Sequence, residues 1–473
     1  MGVWLSLSRV RAAGAKILRI LPILCMTALL ISAQAQHAFP STPERDFQAA
    51  MAAKDRGDLD GAKTILLRLH RQHPGLFAVD ESLGMIDVAQ EKFVDALPLL
   101  QDAAREQPGS DVAHLNLGAD LYKLHRNTEA LTEFEHAARL NPNNSTTQQS
   151  LGELWLEAGK PDQAAEAFAA ALRLNPHNDE LTFSYAAALV AGKRYDEASQ
   201  TLAPVSTVDR SALAQSLLGE IDESKGNYKS AIDHFTRAVE LEPSEENVWA
   251  LDVEFLRHWT FDAAIREFEA AAVKFPASTR MKLGLGAAYF GGAKYQEAIP
   301  VFADLMETDK NNALYAELLG MACTAVTESA APRCAILVKY AEDHPHNAKA
   351  ATYAASMLLK QTATDADTGL ARTLLNNALS TDPKLPDAQY QMGLLRQEGG
   401  DWTGSISHLQ KAITLKPDYA QAHYRLGLAY WRTGRKQDGQ AEMDLQKQYA
   451  QQEKQDLDRR LRQITTFIVD VRN

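Results

Sequence analysis

The sequence predicts an all-α protein, a solenoid of stacked helical hairpins that ends in a long C-terminal helix. Two observations carry this prediction: prolines that end helical stretches recur at a nearly constant interval, and the same small and aromatic residues recur between them. Of the 473 residues, 45% are hydrophobic and 23% charged, a composition typical of a folded chain. A period of this length indicates a repeat architecture.

The recurring prolines set the length of each unit. They follow apolar stretches with helical spacing at Pro74, Pro108, Pro142, Pro176, Pro243, Pro276, Pro345, Pro383 and Pro417. Most neighbours are 33 to 38 residues apart, and the two doubled intervals each contain a unit whose proline is missing. Proline removes an N–H group and forces the preceding residue out of helical geometry, so each one predicts the end of a second helix.

Small and aromatic residues predict how the two helices of a unit pack. If the proline is position 32, position 8 is usually glycine, position 20 alanine, and position 24 an aromatic or leucine. The phenylalanines at position 24 are Phe134, Phe168, Phe235, Phe268 and Phe302. Small side chains allow two backbones to approach closely, and an aromatic ring fills the remaining space. We therefore assign these residues to the core.

This pattern resembles the tetratricopeptide repeat, whose signature is W-x2-L-G-x2-Y, then A-x3-F, then alanine and proline. Trp155, Tyr289 and Tyr430 occupy the first-helix aromatic position. The resemblance covers residues 43 to about 440 in roughly twelve units. It implies a right-handed solenoid that binds proteins or peptides and has no catalytic activity. We predict a signal peptide at 1–35, the repeat array at 36–437, and a capping helix with a tail at 438–473.

The N-terminal segment predicts export. Four basic residues precede a short apolar run that ends in Ala33-Gln34-Ala35, the order of a cleaved signal peptide. We expect a periplasmic or secreted protein that is not embedded in the membrane after cleavage; the alternative is an uncleaved anchor. The net charge of −12 argues against nucleic acid or anionic lipid as partners.

Two cysteines, Cys323 and Cys334, remain after the predicted cleavage. They fall on facing positions of one hairpin. The sequence is therefore consistent with two states of these cysteines, a disulfide and a reduced buried pair. After the array, a polar helix follows, which we interpret as a cap over the last repeat rather than a coiled-coil dimer. No catalytic motif is present, and we expect no enzyme activity, cofactor, metal site or small-molecule substrate.

The resemblance implies candidate binding residues. In this family, first-helix positions 2, 5, 9, 12 and 13 line a concave groove. Beside them we also include Arg425, which follows Tyr424. The candidates in the middle of the array are Phe183, Trp249, Leu283 and Phe290, and those toward the C-terminus are Tyr390, Tyr424, Arg425, Trp431 and Arg432. The lysine and asparagine with which the family clamps a C-terminal carboxylate do not occur at positions 5 and 9 of the repeats compared.

Two functional hypotheses remain at this stage. The first is an interaction scaffold that captures a peptide or helix in the groove, in the setting of envelope assembly. The second is a structural component of a polysaccharide or protein secretion machine, which would bind through its ends or its convex face. Truncation of Trp249 or Trp431 separates the two, because only the scaffold would lose its partner.

Overall fold

The computed structural model describes residues 41–326, 332–360 and 365–472, with side chains described from residue 43 to residue 456 of these ranges. This part of the chain contains twenty-four α-helices and no strand. The predicted all-α class and the estimate of about twelve hairpins are confirmed. The predicted signal peptide at 1–35 lies outside the described residues.

The helices divide between two compact units. The N-terminal unit ends at Leu241 and contains α1 Ser41–Asp55, α2 Leu59–Gln72, α3 Phe77–Ala89, α4 Phe93–Glu106, α5 Asp111–Lys123, α6 Asn127–Leu140, α7 Ser145–Glu157, α8 Pro161–Leu174, α9 Asp179–Ala191, α10 Tyr195–Leu202, α11 Ala212–Lys225 and α12 Tyr228–Leu241. The C-terminal unit begins at Glu242 and contains α13 Glu245–Arg257, α14 Phe261–Lys274, α15 Thr279–Gly291, α16 Tyr295–Thr308, α17 Ala313–Ala325, α18 Ala335–Asp343, α19 Ala348–Lys360, α20 Asp365–Thr381, α21 Pro386–Glu398, α22 Trp402–Leu415, α23 Ala420–Arg432 and α24 Lys436–Arg472. In each unit, successive helices form antiparallel pairs that correspond to the repeats.

Glycine at position 8 brings the two helices of a hairpin together. A Cβ atom built on Gly152 would lie 2.7 Å from the ring of Phe168, and one on Gly286 would lie 2.4 Å from the ring of Phe302. Both rings are completely buried. The aromatic residue at position 24 therefore rests on the bare backbone of the first helix, as the small residues predicted.

The ten intra-hairpin turns that the structure describes in full use a left-handed residue at position 15. Glycine serves there in some repeats, for example Gly159 and Gly434, whereas Lys193, Trp259 and Ala293 adopt the same positive φ in others. Glycine adopts a positive φ without steric cost, whereas residues with a Cβ atom are strained there. The packing of the two helices thus imposes the turn even where the local sequence opposes it.

A polar side chain at position 4 ties several repeats to the loop that precedes them. His114 contacts the carbonyl oxygen of Pro108 through Nε2 (3.2 Å) and Glu133 on α6 through Nδ1 (2.6 Å). His423 makes the equivalent contacts with Pro417 (2.9 Å) and Glu442 (2.6 Å). Glutamine does the same in two further repeats, where Gln215 contacts Val208 and His234 and Gln389 contacts Pro383 and His408. We call this arrangement the position-4 bridge.

Two repeats depart from the pattern. In the α9–α10 repeat the second helix has only eight residues, because Pro204 follows it closely. In the α17–α18 repeat the second helix has nine residues and follows a 3-10 turn, Pro332–Cys334. The structure joins Cys323 on α17 to Cys334 in that turn by a disulfide, with their Cα atoms 6.0 Å apart. The bond links the two halves of a hairpin whose second helix is short.

The last hairpin is formed by α23 and the long α24. A Cβ on Gly427 would lie 3.0 Å from the carbonyl oxygen of Gly439, so the two backbones are in close contact. Met443 is buried against this junction. The N-terminal part of α24 therefore covers α23. Across the described ranges, no helix combines the length and apolar character that a membrane span requires.

Candidate protein-binding surface

Helix α23 presents two aromatic side chains to solvent. Tyr424 is 45% exposed and Trp431 is 41% exposed. Residues seven apart lie two helical turns apart on the same face, a rise of about 10 Å. Arg425 and Arg432 follow each aromatic directly and form a second, parallel line. Because buried aromatic anchors and arginine dominate the energy of protein interfaces, this face has the composition of a binding site.

Trp431 is held in place by the backbone of α24. Its indole Nε1 donates a hydrogen bond to the carbonyl oxygen of Lys436 (3.3 Å). The ring lies over Gly439, where an added Cβ would be only 2.3 Å from the indole Cδ1. One edge of the indole is therefore fixed by the protein while much of its area stays accessible.

The arginines are positioned by aromatic rings and by a carboxylate. The guanidinium carbon of Arg432 lies 5.3 Å from the ring centroid of Trp402, within the range of a cation–π interaction. Burial raises the pKa of Tyr390 and of Glu398, and the positive charge of Arg425 opposes both rises. Arg425 thus lies beside a tyrosine and an acid, with its charge partly balanced.

Tyr390 completes this face from the preceding repeat. Its ring centroid lies 4.9 Å from that of Tyr419, whose hydroxyl donates to Asp387 (2.8 Å). Burial raises the pKa of Tyr419 and of Tyr390, so both hydroxyls stay protonated at neutral pH. We call the set Tyr390, Tyr424, Arg425, Trp431 and Arg432 the aromatic–arginine surface.

The candidates in the middle of the array are more covered. Trp249 is half-buried, with its ring centroid 5.7 Å from that of Phe268 in an edge-on arrangement and the guanidinium of Arg280 at 5.4 Å. Leu283 and Phe290 pack against the cluster that contains Phe302. Trp249 and this pair therefore lie in different core clusters of the C-terminal unit.

Phe183 lies in the core of the N-terminal unit rather than at its surface. It is only 7% exposed and belongs to the same apolar cluster as Ala214 and Leu217 on α11. Helix α11 of the following repeat packs in the same cluster, so Phe183 is covered and does not offer an exposed binding position.

The candidate site residues predicted from the sequence do not include the acidic side chains at the groove positions of the N-terminal unit. The hydroxyl of Tyr122 donates to Glu157 (2.7 Å), and Gln149 donates to Glu153 (2.9 Å). Asn116 similarly donates to Glu81 (3.1 Å). Burial raises the pKa of Glu81, and it raises that of Glu153 to about 7. We call Glu81, Tyr122, Glu153 and Glu157 the carboxylate network. These residues occupy groove positions 5, 12, 9 and 13 of their repeats, so the sequence already contained the pattern.

Family models of the tetratricopeptide repeat match the chain in several blocks. Those described as "Tetratricopeptide repeat" match residues 81–145, 156–221, 212–245 and 254–313, and one described as "TPR repeat" matches 396–434. Together they cover more than half of the sequence. With twelve helical hairpins in its described residues, the chain belongs to the tetratricopeptide repeat proteins. Repeats of this family bind proteins or peptides, which defines the class of this protein as an interaction scaffold.

Several solved structures are similar to this chain. The complex titled "Structure of Naa15/Naa10 bound to HypK-THB" is 15% identical, with 86% of this chain and 68% of that chain covered and a TM-score of 0.33. The APC/C hetero-tetramer Cut9-Hcn1 is 12% identical, with 87% and 88% covered and a TM-score of 0.38. PilF of Pseudomonas aeruginosa is 22% identical, with 43% and 94% covered and a TM-score of 0.36. No curated protein matches this chain.

Proposed function

We propose that this protein is a non-catalytic scaffold that binds a segment of a partner protein on the aromatic–arginine surface. The observation that carries the proposal is the pair of exposed aromatic side chains on one face of α23, Tyr424 and Trp431. Helix-in-groove recognition uses apolar anchors at helical spacing, and two aromatics about 10 Å apart match such anchors.

The support beneath these side chains favours tight binding. The bridge from His423 to Glu442 and the close approach of Gly427 and Gly439 fix α23 on α24. Because the surface is already ordered, little conformational entropy is lost when a partner binds. The arginine line beside the aromatics favours a partner segment that carries acidic residues next to its apolar ones.

We also propose that the protein is exported and acts in the cell envelope, as an assembly factor. The disulfide between Cys323 and Cys334 supports this location, because disulfides persist in oxidising compartments and are rare in the cytosol. Because both cysteines are buried, alkylation of free thiols in the protein isolated from its natural source and unfolded in urea, followed by mass spectrometry, tests the proposal. Both cysteines should resist alkylation until a reductant is added; full alkylation without reductant would argue against export.

The binding proposal is tested by affinity capture from an envelope extract. The bait is the purified chain, compared with a Tyr424→Ala/Trp431→Ala variant and with a Val94→Ala/Val273→Ala control. Val94 and Val273 are 74% and 82% exposed and lie on second helices, so their truncation removes exposed apolar groups outside the aromatic–arginine surface.

We expect a defined protein that is captured by the bait and by the control but not by the aromatic variant. Equal far-ultraviolet circular dichroism of all three chains shows that the fold is intact. A partner that the aromatic variant retains would refute recognition by this surface. Such a result, or recovery of polysaccharide alone, would instead favour the structural component of a secretion machine.

A further inference from the structure

Three potential metal ligands converge inside the third repeat of the N-terminal unit. His114 lies on α5, and Glu133 and His136 lie one turn apart on α6. Their ligand atoms are all within 4.8 Å of one another, and the ring centroids of the two histidines are 4.0 Å apart. His114 is buried and the other two are half-buried, so the cluster is shielded from water without being closed.

We propose that His114, Glu133 and His136 form a binding site for a divalent transition-metal ion. Zinc is the ion that this ligand set fits best. Two imidazoles and one carboxylate are a ligand set that zinc uses, and a water molecule can complete the tetrahedron. Around an ion with bonds of about 2.0 Å, ligand atoms lie about 3.3 Å apart. Small side-chain rotations would bring the three groups to that spacing.

The hydrogen bond on the far side of His114 prepares the ring for this role. Its Nε2 faces the carbonyl oxygen of Pro108 (3.2 Å), which can only accept, so Nε2 carries the hydrogen. The other nitrogen, Nδ1, then faces the carboxylate of Glu133 at 2.6 Å. Two acceptors at this distance require a proton or a cation to share. Metal-bound histidines in proteins are oriented in the same way, by a backbone carbonyl on the second nitrogen.

The third ligand, His136, comes from the same helix as Glu133, one turn further along α6. It is half-buried, and its ligand atom lies within 4.8 Å of those of His114 and Glu133. The carboxylate of Glu133 supplies negative charge that compensates part of the charge of a divalent ion.

The twelfth repeat provides an internal comparison. There the position-4 bridge has the same pair, His423 and Glu442, but the residue that corresponds to His136 is Leu445. The His–Glu pair alone is therefore a structural feature that recurs, and of these two repeats the third adds another ligand. His136 is the residue whose removal distinguishes a metal site from the bridge.

The test uses the full chain without a histidine tag, treated with a chelator and titrated with zinc chloride by calorimetry. Cobalt(II) chloride in a parallel titration reports tetrahedral coordination through its visible absorption. We expect one ion to bind, and His136→Leu to weaken zinc affinity by more than about 10-fold with loss of the cobalt spectrum. His114→Gln should do the same; because glutamine makes this bridge beside a histidine, His234 or His408, rather than beside a glutamate, circular dichroism and urea unfolding of the variant verify its fold.

His423→Gln is the matched control, since it changes the same bridge in a repeat without a third ligand. It should leave both titrations unchanged. Binding that survives in His136→Leu and His114→Gln, or falls equally in His423→Gln, would overturn the proposal. Absence of zinc binding by the unaltered chain at micromolar concentrations would overturn it as well.

Discussion

The carboxylate network and the aromatic–arginine surface occupy equivalent first-helix positions but have opposite characters. In the N-terminal unit, Glu153 at position 9 is buried and bonded to Gln149, and Glu157 accepts from Tyr122. In the C-terminal unit, Tyr424 and Trp431 at positions 5 and 12 are exposed. The polar groups of the carboxylate network form hydrogen bonds within the protein. The aromatic–arginine surface instead presents apolar area and positive charge that a partner can contact.

The helix packing and the position-4 bridge, which together form the repeat frame, are nearly the same beneath the two regions. Gly152 faces Phe168 in the first, and Gly393 faces Leu409 in the second. The position-4 bridge occurs in both, at His114 and His423. The comparison teaches that the repeat frame sets where a side chain is presented, and that the variable residues alone set what it can bind.

The largest effect that we expect is on partner binding. Trp431→Ala should weaken binding of the captured partner by about 2–4 kcal/mol, the usual cost of truncating an aromatic hot spot. Glu153→Gln, in the carboxylate network, should leave the affinity unchanged. Calorimetric titration of the partner into each variant measures both. Equal losses in the two variants would contradict specific recognition by the aromatic–arginine surface.

A smaller effect concerns the frame itself. Gly152→Ala should lower the free energy of unfolding by about 2 kcal/mol, because the added Cβ meets a rigid, fully buried ring. Gly393→Ala should cost less, since the leucine that it meets can change rotamer. Urea unfolding followed by circular dichroism gives both values. The reverse order would mean that the aromatic and aliphatic frames do not differ in rigidity.

The carboxylate network predicts a pH-dependent stability. Burial raises the pKa of Glu153 from 4.5 to about 7, so its folded form binds a proton that the unfolded form has released. The contribution of Glu153 to the free energy of unfolding is therefore fully present below pH 4.5 and is lost as the pH rises through 7. Glu153→Gln should be more stable than the unaltered chain at pH 8, by on the order of 2 kcal/mol, and should lose this advantage toward pH 4.5.

Asp120 provides a second test of the same effect. It is fully buried, neither carboxylate oxygen has a hydrogen-bond partner in the structure, and burial raises its pKa to about 7. Asp120→Asn should gain stability over the same pH range. Urea unfolding at several pH values measures both variants, and a gain that does not depend on pH would contradict the assignment to ionisation.

The smallest effect that we expect is on the rate of association. Arg425→Gln and Arg432→Gln should slow binding of an acidic partner segment severalfold at low salt and reduce its dependence on salt, because exposed charges mainly steer encounter. Surface plasmon resonance at two salt concentrations measures this. A change confined to the dissociation rate would indicate that the arginines form buried pairs in the complex.

Much of the frame was predictable because its signals are local and repeated. The prolines predicted the hairpin ends, and the small residues predicted the close contacts now seen between Gly152 and Phe168. The position-4 bridge was not predictable in this way, since it joins residues 19 apart whose polar pairing can be either His–Glu or Gln–His. The pairing of Cys323 with Cys334 stayed open because sequence does not contain the distance between their Cα atoms.

The sequence by itself determined the class of this protein, its repeat length and the positions at which side chains are presented. These follow from helical periodicity, proline chemistry and side-chain volume, all of which act over a few residues. Only the tertiary structure decided that Phe183 is covered while Tyr424, at the same position, is exposed. It also brought His136 to His114 and Glu133. The physical reason is that exposure and ligand geometry depend on atoms from neighbouring helices, whose contribution no single repeat encodes.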